Sequence, residues 1–152
     1  MKYFPVFKRK IDIERNDVTV EEIADMLSKN GDYRITGIYG DCVKCSKINK
    51  PEMGYYSFNP DFNITLVKNG EKTELHCLYH LKNFVQVFLY IYNLFAVAMQ
   101  IAVLFLAQGE IIFPCFIPII LIAYSLLLPA LALRYQANRI TEDIKCNAKI
   151  LS

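Results

Sequence analysis

Five cysteines and two histidines are the residues of this 152-residue chain best equipped for chemistry. Cys42-Val43-Lys44-Cys45 has C-x-x-C spacing, and His76, Cys77 and His80 follow later in the chain. Nitrogen and sulfur donors at such intervals are what a tetrahedral zinc site requires, and a C-x-x-C pair alone can serve thiol redox chemistry. The local pattern opposes both uses. The residues around Cys42 and Cys45 read as a strand, which would point the two thiols to opposite faces. On a second strand, His76 and His80 would stand about 13 Å apart and Cys77 would face away from His76. A zinc knuckle also needs a turn at the cysteines, and the usual adjacent glycine is missing. A thioredoxin-like pair needs a helix N-terminus to lower the pKa of its first thiol. Cys42, Cys45, His76 and His80 therefore stand as the metal candidates, against an expectation of small buried thiols and no cofactor.

Nor do the other polar residues assemble a reaction centre. No Ser-His-Asp order, G-x-S-x-G, P-loop, G-x-G-x-x-G or H-E-x-x-H occurs. Gly37-Ile38-Tyr39-Gly40 lacks the lysine and the helix that a phosphate loop needs. The expectation is a protein that is not an enzyme. Residues 1–82 carry 13 Lys+Arg against 12 Asp+Glu, so nucleic acid, which selects a basic face, is not an expected partner. Lys8-Arg9-Lys10 is a local basic cluster that reads as an exposed strand face, with contact to anionic lipid heads as the alternative.

The elements that must hold these residues divide sharply in character. No Asp, Glu, Lys or Arg lies between Lys82 and Glu110, and none between Glu110 and Arg134. A hydrocarbon core of about 30 Å takes about 20 apolar helical residues. The charge-free stretches 83–108 and 111–133 satisfy that length, with spans expected at about 84–107 and 111–133. The short Gln108-Gly109-Glu110 connection makes them an antiparallel hairpin. Lys82, Arg134 and Arg139 flank it on the side of the termini and the turn carries no cation. The positive-inside rule then places both termini in the cytoplasm of a multi-pass protein in the inner (plasma) membrane. Lys8-Arg9-Lys10 interrupts the start before a signal peptide could form, and cytosolic thiols would stay reduced.

Within the first span Gln86, Asn93 and Gln100 recur every seven residues, one polar stripe along a helix face. Lipid would leave these amides unsatisfied, so they should meet the second span, another copy or another membrane protein. Tyr124, Ser125 and backbone freed by Pro118 are the partners offered from within the chain. Ala98 and Ala102 form a small-xxx-small pair that permits close helix approach. Phe84, Phe88, Tyr90 and Tyr92 suit the cytoplasmic interface. Pro118 and Pro129 should bend the second span. Neither span holds a charge that would mark an ion or proton pathway.

The first 82 residues read as a cytoplasmic α+β domain of order β-α-β-β-β-β, a small antiparallel sheet with one packed helix. Strands are expected at 7–13, 33–39 and 42–48. Thr19 and Glu22 have capping-box spacing ahead of a helix over 19–29, with Val18 and Ile23 as its staple and Asn30-Gly31 as its stop. Asn69-Gly70 reads as a two-residue hairpin turn that sets Leu66 opposite Thr73, Ile64 opposite Leu75 and Phe62 opposite Cys77. Phe62, Ile64, Leu66, Leu75 and Cys77 should face the helix. In the tail, 134–152, Ile140, Ile144, Ala148 and Leu151 share one face of an amphipathic helix that continues from the second span to pack on the domain or the membrane.

The run Phe7-Lys8-Arg9-Lys10-Ile11-Asp12-Ile13, then Val20-Glu21-Glu22-Ile23, then a β-rich stretch before a helical hairpin, resembles uncharacterised small bacterial membrane proteins in layout. That resemblance implies a bacterial inner-membrane protein and assigns no functional residue. The expected role is a membrane-anchored, non-enzymatic adaptor or accessory subunit, with the lipid bilayer and a protein partner or a second copy as its contacts. Two further functions compete with it: an immunity protein that blocks a toxin at the membrane, and a thiol- or zinc-dependent sensor using Cys42, Cys45 and His76 or His80. A lipid groove lined by Tyr55, Tyr56 and Phe58 has only aromatic content behind it.

Overall fold

A computed structural model describes residues 6–13, 15, 17–48, 59–70, 72–106 and 113–148. Eight elements follow in the order β1 (Phe7–Ile13), α1 (Val20–Lys29), β2 (Tyr33–Tyr39), β3 (Cys42–Lys47), β4 (Asp61–Asn69), β5 (Lys72–His80), α2 (Asn83–Leu106) and α3 (Phe113–Ala148). The class is α+β, with one five-stranded antiparallel sheet of order β1-β5-β4-β3-β2. The Gln108-Gly109-Glu110 turn and the aromatic group Tyr55, Tyr56 and Phe58 lie outside the described residues.

Helix α1 starts where its caps dictate. The Thr19 hydroxyl accepts from the Glu22 amide at 3.2 Å, and the Glu22 carboxylate accepts from the Thr19 amide at 3.1 Å. Two of the donors orphaned at a helix start are thereby satisfied. Gly31, at φ 66°, ends the helix and turns the chain into β2.

The β4–β5 register differs from the expected one by two residues. Asn69 pairs with Lys72, Leu66 with Leu75, Ile64 with Cys77 and Phe62 with Tyr79. Gly70, at φ 61°, takes the first position of the two-residue loop, so Asn69 belongs to the strand and not to the turn. An even shift keeps every side chain on its face. The observed register also completes an aromatic row: Phe62 lies 5.6 Å from Tyr33, edge-on, and 5.6 Å from Tyr79. Such cross-strand ring pairs favour one register over its neighbours.

One face of the sheet carries the core. Phe62, Ile64, Leu66, Leu75 and Cys77 are all buried there. Two helices cover it: the expected α1, and the tail helix, which takes the domain of the two packing surfaces open to it. Helix α1 lies over β2 and β3 through Ile23, Ala24 and Leu27, and the C-terminal part of α3 lies over β1 and β5. The tail continues from the second apolar stretch as expected: α3 runs unbroken for 36 residues, through Pro118 and Pro129. No Gly or Pro occurs between Pro129 and its end, so nothing stops propagation from the apolar stretch into the amphipathic one. Leu133, Ala137, Ile140 and Ile144 are fully buried against the sheet, while Val85 and Leu89 of α2 join the same core. The side chains of Ala148 and Leu151 lie outside the described set.

Candidate functional site

Strand alternation separates the metal candidates. Cys45 and Cys77 point into the covered face and are 1% exposed. Cys42 and His76 lie on the open face, in the row Tyr39-Cys42-Thr65-His76-Lys10 that crosses all five strands. Two strand spacings, about 10 Å, separate Cys42 from His76, against zinc bonds of about 2.0–2.3 Å. His80 lies in a different row, opposite Asp61, with Nδ1 3.2 Å from the Leu81 carbonyl oxygen. Among the described residues no three His, Cys, Asp or Glu side chains come together as a metal set. Burial pushes the Cys45 thiol up to about 12 and the Cys77 thiol up to about 11, so both stay protonated and unreactive at neutral pH.

On the open face His76 Nε2 lies 2.8 Å from Glu74 Oε2, and Lys10 Nζ reaches the same oxygen at 3.4 Å. The His76 hydrogen bond first, then Lys10, holds the Glu74 carboxyl below the usual carboxylate range. The group is solvated, as an ordinary surface network is. Gly37 makes room for a neighbour: a Cβ there would sit 2.6 Å from the Tyr39 ring, over which Lys44 Nζ stands at 4.6 Å.

The amide stripe lies on the side of α2 that meets α3. Asn93 Nδ2 donates to the Leu89 carbonyl at 2.7 Å, and the Ser125 hydroxyl donates to Asn93 Oδ1 at 2.6 Å. Gln86 Nε2 donates to the Leu81 carbonyl at 2.6 Å, which caps the connection between β5 and α2. The Gln100 side-chain oxygen is buried with no hydrogen-bond partner among the described residues. Ala96 supplies the close contact, 4% exposed, whereas Ala98 and Ala102 sit exposed on the opposite side of α2.

Three polar ties lock α3 to the sheet, none of them signalled by local sequence. Tyr79 and Thr141 hydroxyls meet at 2.8 Å, Tyr33 OH donates to Asp143 Oδ2 at 3.1 Å, and Arg9 Nη2 donates to Asn138 Oδ1 at 2.8 Å. Arg9 thus leaves the Lys8-Arg9-Lys10 cluster for the covered face, and Lys8 and Lys10 remain on the open one. Burial, before the Asp143 charge, raises the Tyr33 phenol well above its ordinary value.

The exposed side chains of α3 change character along its length. From Phe116 to Leu131 the exposed side chains of α3 are apolar, Phe116, Ile120, Leu127 and Leu131 among them. From Arg134 onward most of them are polar: Arg134, Asn138, Arg139, Glu142 and Lys145. In α2 exposure of Phe84, Phe88, Phe95 and Phe105 runs at 64–81%. Both helices are long and apolar enough to cross a membrane, yet only 11% of the α2 window and 17% of the α3 window is buried within the chain. A core helix of a soluble protein would be mostly covered. A cleft of about 280 Å³ lies where the chain leaves the sheet for α2, lined by Arg34, Ser46, Lys47, Ile48 and Lys82. Compared with known proteins, the chain matches no family model, no curated protein and no solved structure.

Proposed function

We propose that this chain is a membrane-anchored, non-enzymatic adaptor or accessory subunit. In this reading α2 and the first part of α3 cross the inner (plasma) membrane as a hairpin. Both termini and the sheet lie on the cytoplasmic side, and the open face of the sheet is offered to a protein partner. The observation that carries the reading is the reversal along α3, which bares apolar side chains up to Leu131 and polar ones from Arg134. A helix in one solvent has one kind of exposed face, so a reversal marks a change of solvent near Leu133. Lys82, Arg134 and Arg139 flank the apolar stretches in sequence, at the ends that join the sheet and the tail, which supports the cytoplasmic assignment. The open face supports the partner: one side of the sheet is wholly occupied by α1 and α3, whereas Lys10, Lys44 and Tyr39 remain exposed on the other.

Two measurements test it. The full chain should stay in the membrane pellet after an alkaline carbonate wash, and protease added outside spheroplasts should leave its N-terminal domain intact. A photo-crosslinking residue at Lys44 should capture one protein in fixed stoichiometry. Release by carbonate ends the membrane reading, and a detergent-purified monomer with no crosslinked partner ends the adaptor reading.

A further inference from the structure

The cleft at the base of α2 brings several anion-binding features together. Arg34 of β2 pairs with Ser46 of β3, Lys47 and Ile48 continue that strand end, and Lys82 is the residue that leads into α2. Three cations and a hydroxyl therefore line one concavity of about 280 Å³. Lys47 has interactions of its own. Arg34 and Lys82 do not: among the described residues neither forms an ion pair. Asp61 follows Ser46 in the same row of the sheet and pairs with neither. The start of a 24-residue helix adds the positive end of its dipole at the same level. Two unpaired cations beside a hydroxyl in a cleft match a phosphate, which the planar Arg fork can bind through two parallel hydrogen bonds.

What adjoins the cleft decides the source of that phosphate. Past Asn83, the next exposed residues along α2 are the apolar Phe84, Val87 and Phe88, each 57–65% exposed. A ligand with a phosphate at Lys82 and hydrocarbon along these side chains has the form of a phospholipid, charged head at the membrane surface and acyl chains below it. We infer that the cleft formed by Arg34, Ser46 and Lys82 binds the phosphate of an anionic phospholipid headgroup in the cytoplasmic leaflet. The inference rests on the membrane reading above and goes beyond it, because anchoring by apolar helices requires no headgroup site. Net negative lipid is favoured over zwitterionic lipid because the cleft supplies more than one positive charge and no choline-binding aromatic cage.

The test uses full-length protein in nanodiscs of phosphatidylcholine to which phosphatidylglycerol is titrated, with retained lipid counted by native mass spectrometry. Saturable retention of phosphatidylglycerol is expected. It should weaken about fivefold for each of Arg34→Ala and Lys82→Ala, and about 25-fold for the double variant, from a contribution of about 1 kcal/mol per cation near the surface. Arg34→Lys should fall between wild type and Arg34→Ala, since it keeps charge and loses the fork. Lys68→Ala, at the far end of β4, should bind as wild type does. Equal retention of both lipids, or a double variant that retains phosphatidylglycerol normally, overturns the inference. So does competition by inorganic phosphate at the same concentration as the lipid, which would make this a site for the free anion. A carbonate wash run in parallel separates the outcomes, because a chain released from the membrane has failed at the earlier step.

Discussion

Replacing Ile144 by Ala tests whether the end of α3 is a structural half of the sheet's cover. Ile144 and Ile140 are fully buried although they lie 60 residues or more from the strands they cover. Truncating a fully buried Ile to Ala costs about 2–5 kcal/mol, the spread depending on how far the cavity collapses. A matched change outside the domain is Leu131→Ala, only two turns away from Leu133's buried successors and itself 52% exposed; there the expected cost to the sheet is within about 0.5 kcal/mol. The reporter is built in. Cys77 is 1% exposed beneath the same helix layer, and burial raises its pKa to about 11. It can react with iodoacetamide only when the layer opens, so its labelling rate follows the open population.

A cost of about 3 kcal/mol multiplies that population by about two orders of magnitude. Peptide mass spectrometry of detergent-solubilised protein, labelled for increasing times at constant pH, reads the Cys77 rate apart from that of exposed Cys146. The expected result is labelling of Cys77 about 100-fold faster in Ile144→Ala than in Leu131→Ala, with Cys146 unchanged. If Ile144→Ala labels Cys77 no faster than Leu131→Ala, the tail is an appendage and the two-helix cover is wrong.

Three further outcomes are expected. Thr19→Ala removes the side-chain half of the capping box and should lower the stability of the domain by about 1 kcal/mol in urea titration, while Thr19→Asp should retain it. Asn93→Leu takes from Ser125 the acceptor inside the hairpin and should destabilise helix association by about 0.6–1.7 kcal/mol, read by steric trapping or by the detergent concentration at half-unfolding; no change would mean that the contact is not made in the membrane. Alkaline pH should destabilise the sheet. The Cys45 and Cys77 thiols have folded pKa values of about 12 and about 11 against about 9 when unfolded. Their contribution is thus full below pH 9 and is lost as pH rises towards 11–12, by up to about 1.4 kcal/mol per pH unit for each thiol. Melting curves at pH 8 and pH 10.5 should separate, and by less in Cys45→Ala.

What could be read from sequence was local or periodic. Thr19 and Glu22 announce α1 because a capping box is complete within four residues. The stripe Gln86-Asn93-Gln100 is visible because seven steps return to one helix face, and Ser125 was within the small set of polar groups able to answer it. The expected β4–β5 register differs from the observed one by two residues because the Asn-Gly preference is a rule about turns, whereas the observed pairing also joins Phe62 to Tyr79 and Tyr33 across the sheet. The placement of β1 beside β5 had no local signal, since it joins Phe7 to Tyr79. The cleft at Arg34, Ser46 and Lys82 was hidden for the same reason. Its residues come from the start of β2, the end of β3 and the approach to α2, and become neighbours only once the sheet has closed.

The continuity of α3 bears directly on how a membrane-anchored sheet could work. At about 1.5 Å per residue its 36 residues extend about 54 Å, and a bilayer core takes about 30 Å of that, leaving about 24 Å to lie across the sheet. A domain on a flexible tether would reorient freely above the membrane. Here the second span and half of the domain's cover are one helix, held to the strands by Tyr79–Thr141, Tyr33–Asp143 and Arg9–Asn138. A second attachment is the start of α2, joined to β5 through Leu81-Lys82, with Val85 and Leu89 buried in the same core. Two separate fastenings remove the swivel that one would leave. On the proposed anchoring, the open face keeps a set orientation to the lipid surface, and a partner bound there would be positioned, not merely recruited. Any movement passed between membrane and sheet must then travel as tilt or translation of α3, because bending its tail away would expose Leu133, Ala137, Ile140 and Ile144 together.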